Sequence, residues 1–571
     1  MTVVDHTPRV ARDDAANGPH PRISIRDLSV SFATSAGDRR IIEGVSFDLH
    51  PGRCVAIVGE SGSGKSVTAR TIVGLSGRGA RVEAGALELH GRDIRSLPER
   101  AWRRIRGREI GFILQDALVS LDPLRPVGAE VGETLRLHGW RDRSARRRKI
   151  AELLEAVGVP SPERRARQRS GELSGGLRQR ALIASALALD PDVVIADEPT
   201  TALDVTVQAQ VLQLLEASKR RGASIILISH DLSVVAQLAD HVLVMRHGRV
   251  VEQGPAEQVF ASPQDPYTRA LIAAVPSEAT RGRRLSPTQD DASPSETASG
   301  ETDAAREREV VLEARGLVKR FRAADGSETL AVDEVSFALH RGETLGVVGE
   351  SGSGKSTTGR LALALEPADA GEVSLLGEPW SAAPERKRRA LRSRIAVVSQ
   401  DPLSSFDPRW NVERILADAL PRGIRAPAAR AARIGELLAQ VGLPDEVLAR
   451  FPLRLSGGQR QRVSIARALA SEPDVIVLDE AVSALDVTIQ AQVLDLLVDL
   501  QARLGLGYLF ISHDLGVIAH LSHRVLVMKD GRVVEEGTPD EIFHQPREPY
   551  TRELIASIPA LPRGAAASRE A

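Results

Sequence analysis

The chain has 571 residues and a formal net charge of −1, so it lacks the basic excess of a nucleic-acid binder. Hydrophobic residues make up 42% and aromatic residues 3%, which allows large cores built mainly from Val, Leu, Ile and Ala. The single cysteine excludes an intrachain disulfide and a zinc or iron–sulfur site ligated by several cysteines of this chain. No apolar stretch approaches the roughly 18 residues of a membrane span, so a soluble protein is expected, with any membrane role coming through a partner.

Residues 1–21 are polar and proline-containing, without the apolar run of a secretory signal, and are expected to form a disordered tail. ISIRDLSVSF and VEAGALELHG then read as antiparallel β-structure, and CVAIVG as a short buried strand. Cys54 opens that strand and is expected to be an inert core thiol. The strand runs into VGESGSGKS, Val58 to Ser66, which contains G-x-x-x-x-G-K-[ST]. In this pattern Gly59, Gly62 and Gly64 let the backbone turn tightly beside a phosphate, and the following helix presents its N–H groups. Lys65 supplies a point charge for β- and γ-phosphates, and the Ser66 hydroxyl a Mg²⁺ ligand. Glu60, Ser61, Ser63 and Val67 complete the expected nucleotide-binding stretch.

Further along, GFILQD ends in Gln115, whose amide can ligate Mg²⁺ and orient water. Arg141 to Lys149, RDRSARRRK, reads as a basic helix with a solvated face. LSGGLRQR places Ser174, Gly175 and Gly176 before a helical pattern, a second anion-binding helix start. DVVIADE is an apolar strand ending in Asp197, placed to hold the Mg²⁺ shell, and Glu198, placed to activate a water. SIILIS leads to His230, whose imidazole can donate to a γ-phosphate. The segment DPYTRALIAAVP follows. Residues 281–309, rich in Ser, Thr, Pro, Asp and Glu, are expected to be a disordered linker.

The same series then repeats. VGESGSGKS recurs at Val348 to Ser356, giving Gly349, Glu350, Ser351, Gly352, Ser353, Gly354, Lys355, Ser356 and then Thr357. Gln400 ends AVVSQD, LSGGQRQR carries Ser456, Gly457 and Gly458, DVIVLDE ends in Asp479 and Glu480, and His513 follows YLFIS. EPYTRELIASIP closes the second half. Two homologous α/β domains are therefore expected, over residues 22–280 and 310–563, with 564–571 as a tail. Two anion-binding helix starts in each domain suggest a nucleotide held between domains.

Phosphate loop, Gln, LSGG, Asp-Glu, ALD and His, in this order, resemble the nucleotide-binding domains of ABC transporters. The resemblance covers the chain except its tails and linker. It implies two tandem P-loop NTPase domains, each with a mixed or parallel core sheet, an antiparallel β subdomain and a helical subdomain. It further implies ATP and Mg²⁺ as cofactors, with two domains head to tail around two ATP molecules. One site would combine Lys65, Asp197, Glu198 and His230 with Ser456 and Gly458. The other would combine Lys355, Asp479, Glu480 and His513 with Ser174 and Gly176. Ser66, Gln115, Asp197, Ser356, Gln400 and Asp479 would serve the metal, Glu198, Glu480, His230 and His513 the hydrolysis, and Phe32 and Phe321 the adenine. Leu177 departs from the signature that Gln459 fits. Both glutamates are present, which implies two hydrolytic sites.

QDALVSLDP, QDPLSSFDP and the two Pro-Tyr-Thr-Arg segments resemble the oligopeptide, dipeptide and nickel importer subfamily, including fused glutathione-type members. This implies an ATP-hydrolysing subunit at the cytoplasmic face of the membrane. Its implied partners are two permease subunits and an extracytoplasmic solute-binding protein, with neither nucleic acid nor a homodimer required. The residues after Gln115 and Gln400 would help form the groove for a permease helix. The alternative is an ABC ATPase without a permease, such as a translation factor; the linker composition speaks against the helical, charged connection of that class. The tandem fusion makes a subunit of a carbon–phosphorus lyase system a weaker alternative.

Overall fold

Runs of β-branched and aliphatic residues between turn signals form two sets of parallel strands, one in each repeat. The computed structural model describes residues 20–34, 37–115, 120–200, 203, 205–286, 309–322, 328–424, 426–483 and 485–557. The expected tails at 1–21 and 564–571 lie outside these residues apart from 20 and 21, as do 116–119 after Gln115 and most of the expected linker. The described residues divide into two compact units. Of these residues, those up to Pro199 and Val211–Ser262 form one unit, and those within Thr200–Gln210 and from Pro263 onward form the other.

In the first unit a six-stranded sheet runs in the order Arg249–Pro255, His241–Arg246, Cys54–Val58, Ser224–Ile228, Val193–Asp197, Ile110–Ile113. All neighbours are parallel except the first two, which form a hairpin. Cys54–Val58, Val193–Asp197 and Ser224–Ile228 are buried at all five positions. Both faces are covered, so these strands read as continuous apolar runs without alternation. A second, antiparallel sheet pairs Ile23–Thr34 with Gly37–Leu49, Ala80–Glu83 and Ala86–Leu89. Its apolar side and the parallel sheet share one core around Ile57, Ile72, Trp102 and Met245. The helices Val127–Leu137, Arg143–Ala156 and Gly175–Ala186 form a helical region. Arg143–Ala156 takes up the expected basic run, and only Leu153 and Leu154 along it are buried.

The second unit repeats this plan. Its six-stranded sheet has the order Ile395–Val398, Val475–Asp479, Gly507–Ile511, Thr344–Val348, Arg524–Lys529, Arg532–Gly537. Glu328–His340, Val310–Arg322 and Ala370–Leu375 form the antiparallel sheet. The core gathers around Trp380, which is fully buried and donates its indole N–H to the Ala362 carbonyl at 3.0 Å. The helices Val412–Ala419, Pro427–Gln440 and Gly457–Leu469 are the counterparts of the first helical region.

The border between the repeats differs from the sequence expectation. Pro263–Thr280, expected to close the first half, belongs to the second unit. The first residues of the expected linker are held rather than loose. Leu285 is buried, and the Leu285 and Ser286 N–H groups donate to the Asp495 carboxylate at 3.0 and 2.9 Å. Asp495 lies buried on helix Val487–Leu504, so these bonds satisfy a charge that burial would otherwise penalise. Arg281 donates to the Ser522 carbonyl and Arg284 pairs with Asp499. Composition misjudged this stretch because its polar side chains meet specific partners.

Candidate functional site

Each glycine-rich loop leaves the buried end of a central strand and opens a helix, Lys65–Ile72 or Lys355–Ala362. Gly59 and Gly349 have φ of 142 and 147°. A Cβ at either would lie 2.1 Å from a carbonyl oxygen, of Met245 or Met528, so no other residue fits. The loops close on themselves through Ser63 N–H to the Glu60 carbonyl and Ser353 N–H to the Glu350 carbonyl. Lys65 donates to the carbonyls of Gly59 and Glu60 at 2.7 and 2.8 Å. Lys355 donates to those of Gly349 and Glu350 at 2.8 and 2.7 Å. Each ammonium is thus folded over its own loop. The hydroxyls of Ser63 and Ser353 are buried and lack a hydrogen-bond partner. Ser61, Gly62, Ser351 and Gly352 form the exposed or open tips, and Val67 and Thr357 continue into the helices.

The acidic pairs stand beside these loops. The Ser66 hydroxyl donates to Asp197 Oδ1 at 2.9 Å, and the Ser356 hydroxyl to Asp479 Oδ1 at 3.0 Å. Asp197 is fully buried, and its Oδ2 has no hydrogen-bond partner. Burial pushes the carboxyls of Asp197 and Asp479 above the usual range, by more than the serine hydroxyls pull them back. A hydroxyl, a buried carboxylate with an unshared oxygen and a neighbouring amide are hard oxygen donors. They fit Mg²⁺, which Ser66, Asp197 and Gln115 in the first set and Ser356, Asp479 and Gln400 in the second would hold, and which would supply neutralisation of phosphate charge.

Glu198 and Glu480 follow directly, both at φ 51°. The left-handed turn costs a non-glycine residue free energy. It is pinned by their own N–H groups, which donate to Ile228 and Ile511 carbonyls at 2.9 Å. Turned this way, Glu198 accepts from Gln115 Nε2 at 2.8 Å and stands 3.4 Å from His230 Nδ1. Glu480 accepts from Gln400 Nε2 at 2.5 Å and stands 3.3 Å from His513 Nδ1. Burial opposes charge on both histidines, yet the hydrogen bond and charge of the glutamate outweigh it, and each is raised. Burial also opposes charge on Glu480, and His513 outweighs it, so that carboxyl is lowered.

Ser174 and Ser456 each cap a helix, Gly175–Ala186 and Gly457–Leu469. A Cβ at Gly458 would meet Ile489 at 2.5 Å, so this glycine serves close packing as well as an open helix start, whereas Gly457 has room. Phe32 is half-buried against the first core, and Phe321 is 42% exposed with the Lys319 ammonium 5.4 Å from its ring centroid. Sequence reasoning passed over Gln179, which is buried and donates to the Pro199 carbonyl at 3.1 Å, next to Glu198. Its signal was available, since the glutamine recurs as Gln461 in the repeated LSGG-x-R-Q-R. Cys54 is fully buried, and burial pushes its thiol up to about 12, as expected of an inert core position.

This constellation, built twice on parallel sheets, defines a tandem nucleotide-hydrolysing protein. Residues 42–201 and 332–483 match the ABC transporter family, and 251–301 and 534–570 match the C-terminal region of oligopeptide/dipeptide transporters. The oligopeptide transport ATP-binding protein OppD of Mycobacterium tuberculosis is 41% identical over 94% of this chain and 98% of its own length. The peptidoglycan transport ATP-binding protein YejF of Agrobacterium fabrum is 44% identical, over 94% and 96%. The glutathione import ATP-binding protein GsiA of Shigella flexneri is 43% identical, over 94% and 89%. The chain belongs to the ABC transporter family, as a fused tandem ATPase of the oligopeptide type. Among solved structures, the archaeal ribosome recycling factor aABCE1 in complex with the stalk protein aP1 shares the fold, with TM-score 0.58 and 20% identity over 88% of both chains. The dimeric ABC cassette MJ0796 covers 40% of this chain at TM-score 0.37 and 27% identity. Among the described residues no helix is long and apolar enough to cross a membrane.

Proposed function

We propose that the chain energises an importer of peptides or a related small solute, such as a dipeptide, oligopeptide, glutathione or nickel complex. The observation that carries this reading is that each half joins a full Ser–Asp and Gln–Glu–His set to a C-terminal segment of the oligopeptide/dipeptide transporter kind. The two repeats act as two lobes, with residues 263–286 belonging to the second of them. ATP and Mg²⁺ are held at two composite sites. Lys65 with Asp197, Glu198 and His230 is completed by Ser456, Gly457 and Gly458. Lys355 with Asp479, Glu480 and His513 is completed by Ser174, Gly175 and Gly176. Phe32 and Phe321 support the adenines.

In each site the glutamate accepts a proton from water as the water oxygen bonds to the γ-phosphorus and the bond to the ADP oxygen breaks. The glutamine and histidine hold that carboxylate in position, and the lysine swings from loop carbonyls to phosphate. ATP binding closes the lobes, and phosphate release reopens them. Two permease subunits at the cytoplasmic face of the membrane respond through differential contacts with the two states. An extracytoplasmic solute-binding protein delivers the solute.

Co-expression with neighbouring permease genes, followed by ATPase assays in proteoliposomes, tests the reading. Stimulation by solute-loaded binding protein is the expected result. Sedimentation with ribosomes and no stimulation would instead favour a permease-free translation factor.

A further inference from the structure

The second phosphate loop is held from outside by the C-terminal helix Pro549–Ala556. The Glu350 N–H donates to the Tyr550 phenol oxygen at 3.1 Å. The carbonyl of the same Glu350 is one of the two that accept from Lys355. One loop residue is therefore gripped at its N–H by the C-terminal helix and at its C=O by the phosphate-binding lysine.

Tyr550 is itself fixed. It is buried, and the Lys529 ammonium lies 4.5 Å from its ring centroid. Lys529 ends strand Arg524–Lys529, and the preceding Met528 carbonyl is the atom that abuts Gly349. At the start of the helix, the Arg547 and Glu548 N–H groups donate to Glu535 at 2.8 and 3.2 Å. Burial opposes charge on Glu535, yet its hydrogen bonds outweigh this and lower its carboxyl, so the anchor stays ionised. The helix is thus fastened to the sheet edge independently of the loop.

We propose that Tyr550 is a positioning residue for nucleotide binding at the second loop, coupling the transporter-type C-terminal region to ATP affinity. The inference rests on the reading of Gly349–Ser356 as an ATP-phosphate loop. When Lys355 moves from the loop carbonyls to a phosphate, Glu350 loses its bond to the ammonium. The bond to Tyr550 at the Glu350 N–H and that of the Ser353 N–H to the Glu350 carbonyl then remain to keep the loop in its phosphate-accepting shape, and of the two only the Tyr550 bond comes from outside the loop. Without it, the loop must be ordered at the expense of binding energy. One hydrogen bond of this kind is worth about a three- to tenfold change in affinity.

The test uses the full chain carrying Lys65→Ala, so that nucleotide binding reports mainly the second loop. Tyr550→Phe keeps the ring under Lys529 and removes only the hydroxyl. Binding of a fluorescent ATP analogue should weaken about three- to tenfold, and KM for ATP should rise likewise, with kcat changed less than about twofold. Amide exchange should quicken in the peptide containing Glu350 and stay unchanged in Pro549–Ala556. Unchanged affinity and unchanged Glu350 exchange overturn the proposal, as does equal loosening of helix and loop. Should Tyr550→Phe prove insoluble, Lys529→Met supplies the same readouts: a rise in KM with kcat held supports the proposal, and an unchanged KM overturns it. Lys355→Ala separates the underlying reading: if it leaves analogue binding intact, the phosphate-loop assignment itself fails.

Discussion

Ser456 and Gln459 are bonded to each other twice. The Ser456 hydroxyl accepts the Gln459 N–H at 3.2 Å, and Gln459 Oε1 accepts the Ser456 N–H at 3.2 Å. This reciprocal cap satisfies two backbone donors at the start of Gly457–Leu469. In the first half Leu177 replaces the glutamine, and only the Ser174 bond to the Leu177 N–H, at 3.4 Å, remains. The loss of Gln from the LSGG signature is thus a loss of half a cap. Leu177→Gln should stabilise the first helix start by about 0.5–1 kcal/mol, and Gln459→Leu should cost about as much. Urea unfolding with amide exchange over both helices checks this; opposite signs are expected for the two variants.

Hydrolysis should depend on both glutamates, because both occupy the same strained turn with the same partners. Glu198→Gln or Glu480→Gln keeps the shape and removes the proton acceptor. Each should slow its own site by about 10²- to 10⁴-fold, as expected for loss of a general base. Steady-state ATPase should fall to about half or lower in each single variant and vanish in the double. Full activity after Glu198→Gln would mean the first glutamate is not catalytic.

Much of this site was legible because its parts sit at strand ends, where an apolar run followed by Asp-Glu, Gln or His has a fixed place in a parallel sheet. Ser66 meeting Asp197, and Gln115 meeting Glu198, follow from that adjacency. Contacts made across the fold were not legible. Tyr550 meets Glu350 only because the C-terminal helix folds back over the loop, and no local pattern encodes that. Leu285 and Ser286 were hidden in a stretch of linker-like composition, and Asp495 on a distant helix decides their fate. Gln179 lay inside a recognised motif, but its target, the Pro199 carbonyl, is a backbone atom that sequence patterns do not mark.

The His513–Glu480 pair gives a pH signature. The folded histidine lies above its ordinary 6.5, since Glu480 outweighs the burial that opposes its charge. Its contribution to stability is complete below 6.5 and disappears as pH rises through the folded value. Glu480 lies below its ordinary 4.5, since His513 outweighs burial. Its contribution is present above 4.5 and disappears as pH falls through the folded value. The pair is therefore strongest from about pH 4.5 to beyond 6.5. Melting temperature should decline on the alkaline side of this window in the unmodified chain, and decline less in His513→Ala. Parallel curves for the two proteins would show that the pair carries no linked protons.

The composite arrangement proposed above makes a sharper demand, which double-mutant cycles can meet. Ser174 and Ser456 have the same local job, accepting an N–H at a helix start, so replacing either by Ala costs each helix about the same, roughly 1 kcal/mol. The two variants are therefore matched controls for folding, and a difference between them would report which site, if either, each serine serves. Lys65→Ala disables the first phosphate loop. If Ser456 completes that site, adding Ser456→Ala should do little further harm, because the site is already lost. Adding Ser174→Ala should damage the other site and remove most of the remaining activity. ATPase rates of the two double variants, each compared with Lys65→Ala alone, decide the question. The reverse pattern, with Ser456→Ala removing most of the remaining activity and Ser174→Ala doing little further harm, would show that the halves hydrolyse independently, each with its own loop and its own LSGG helix.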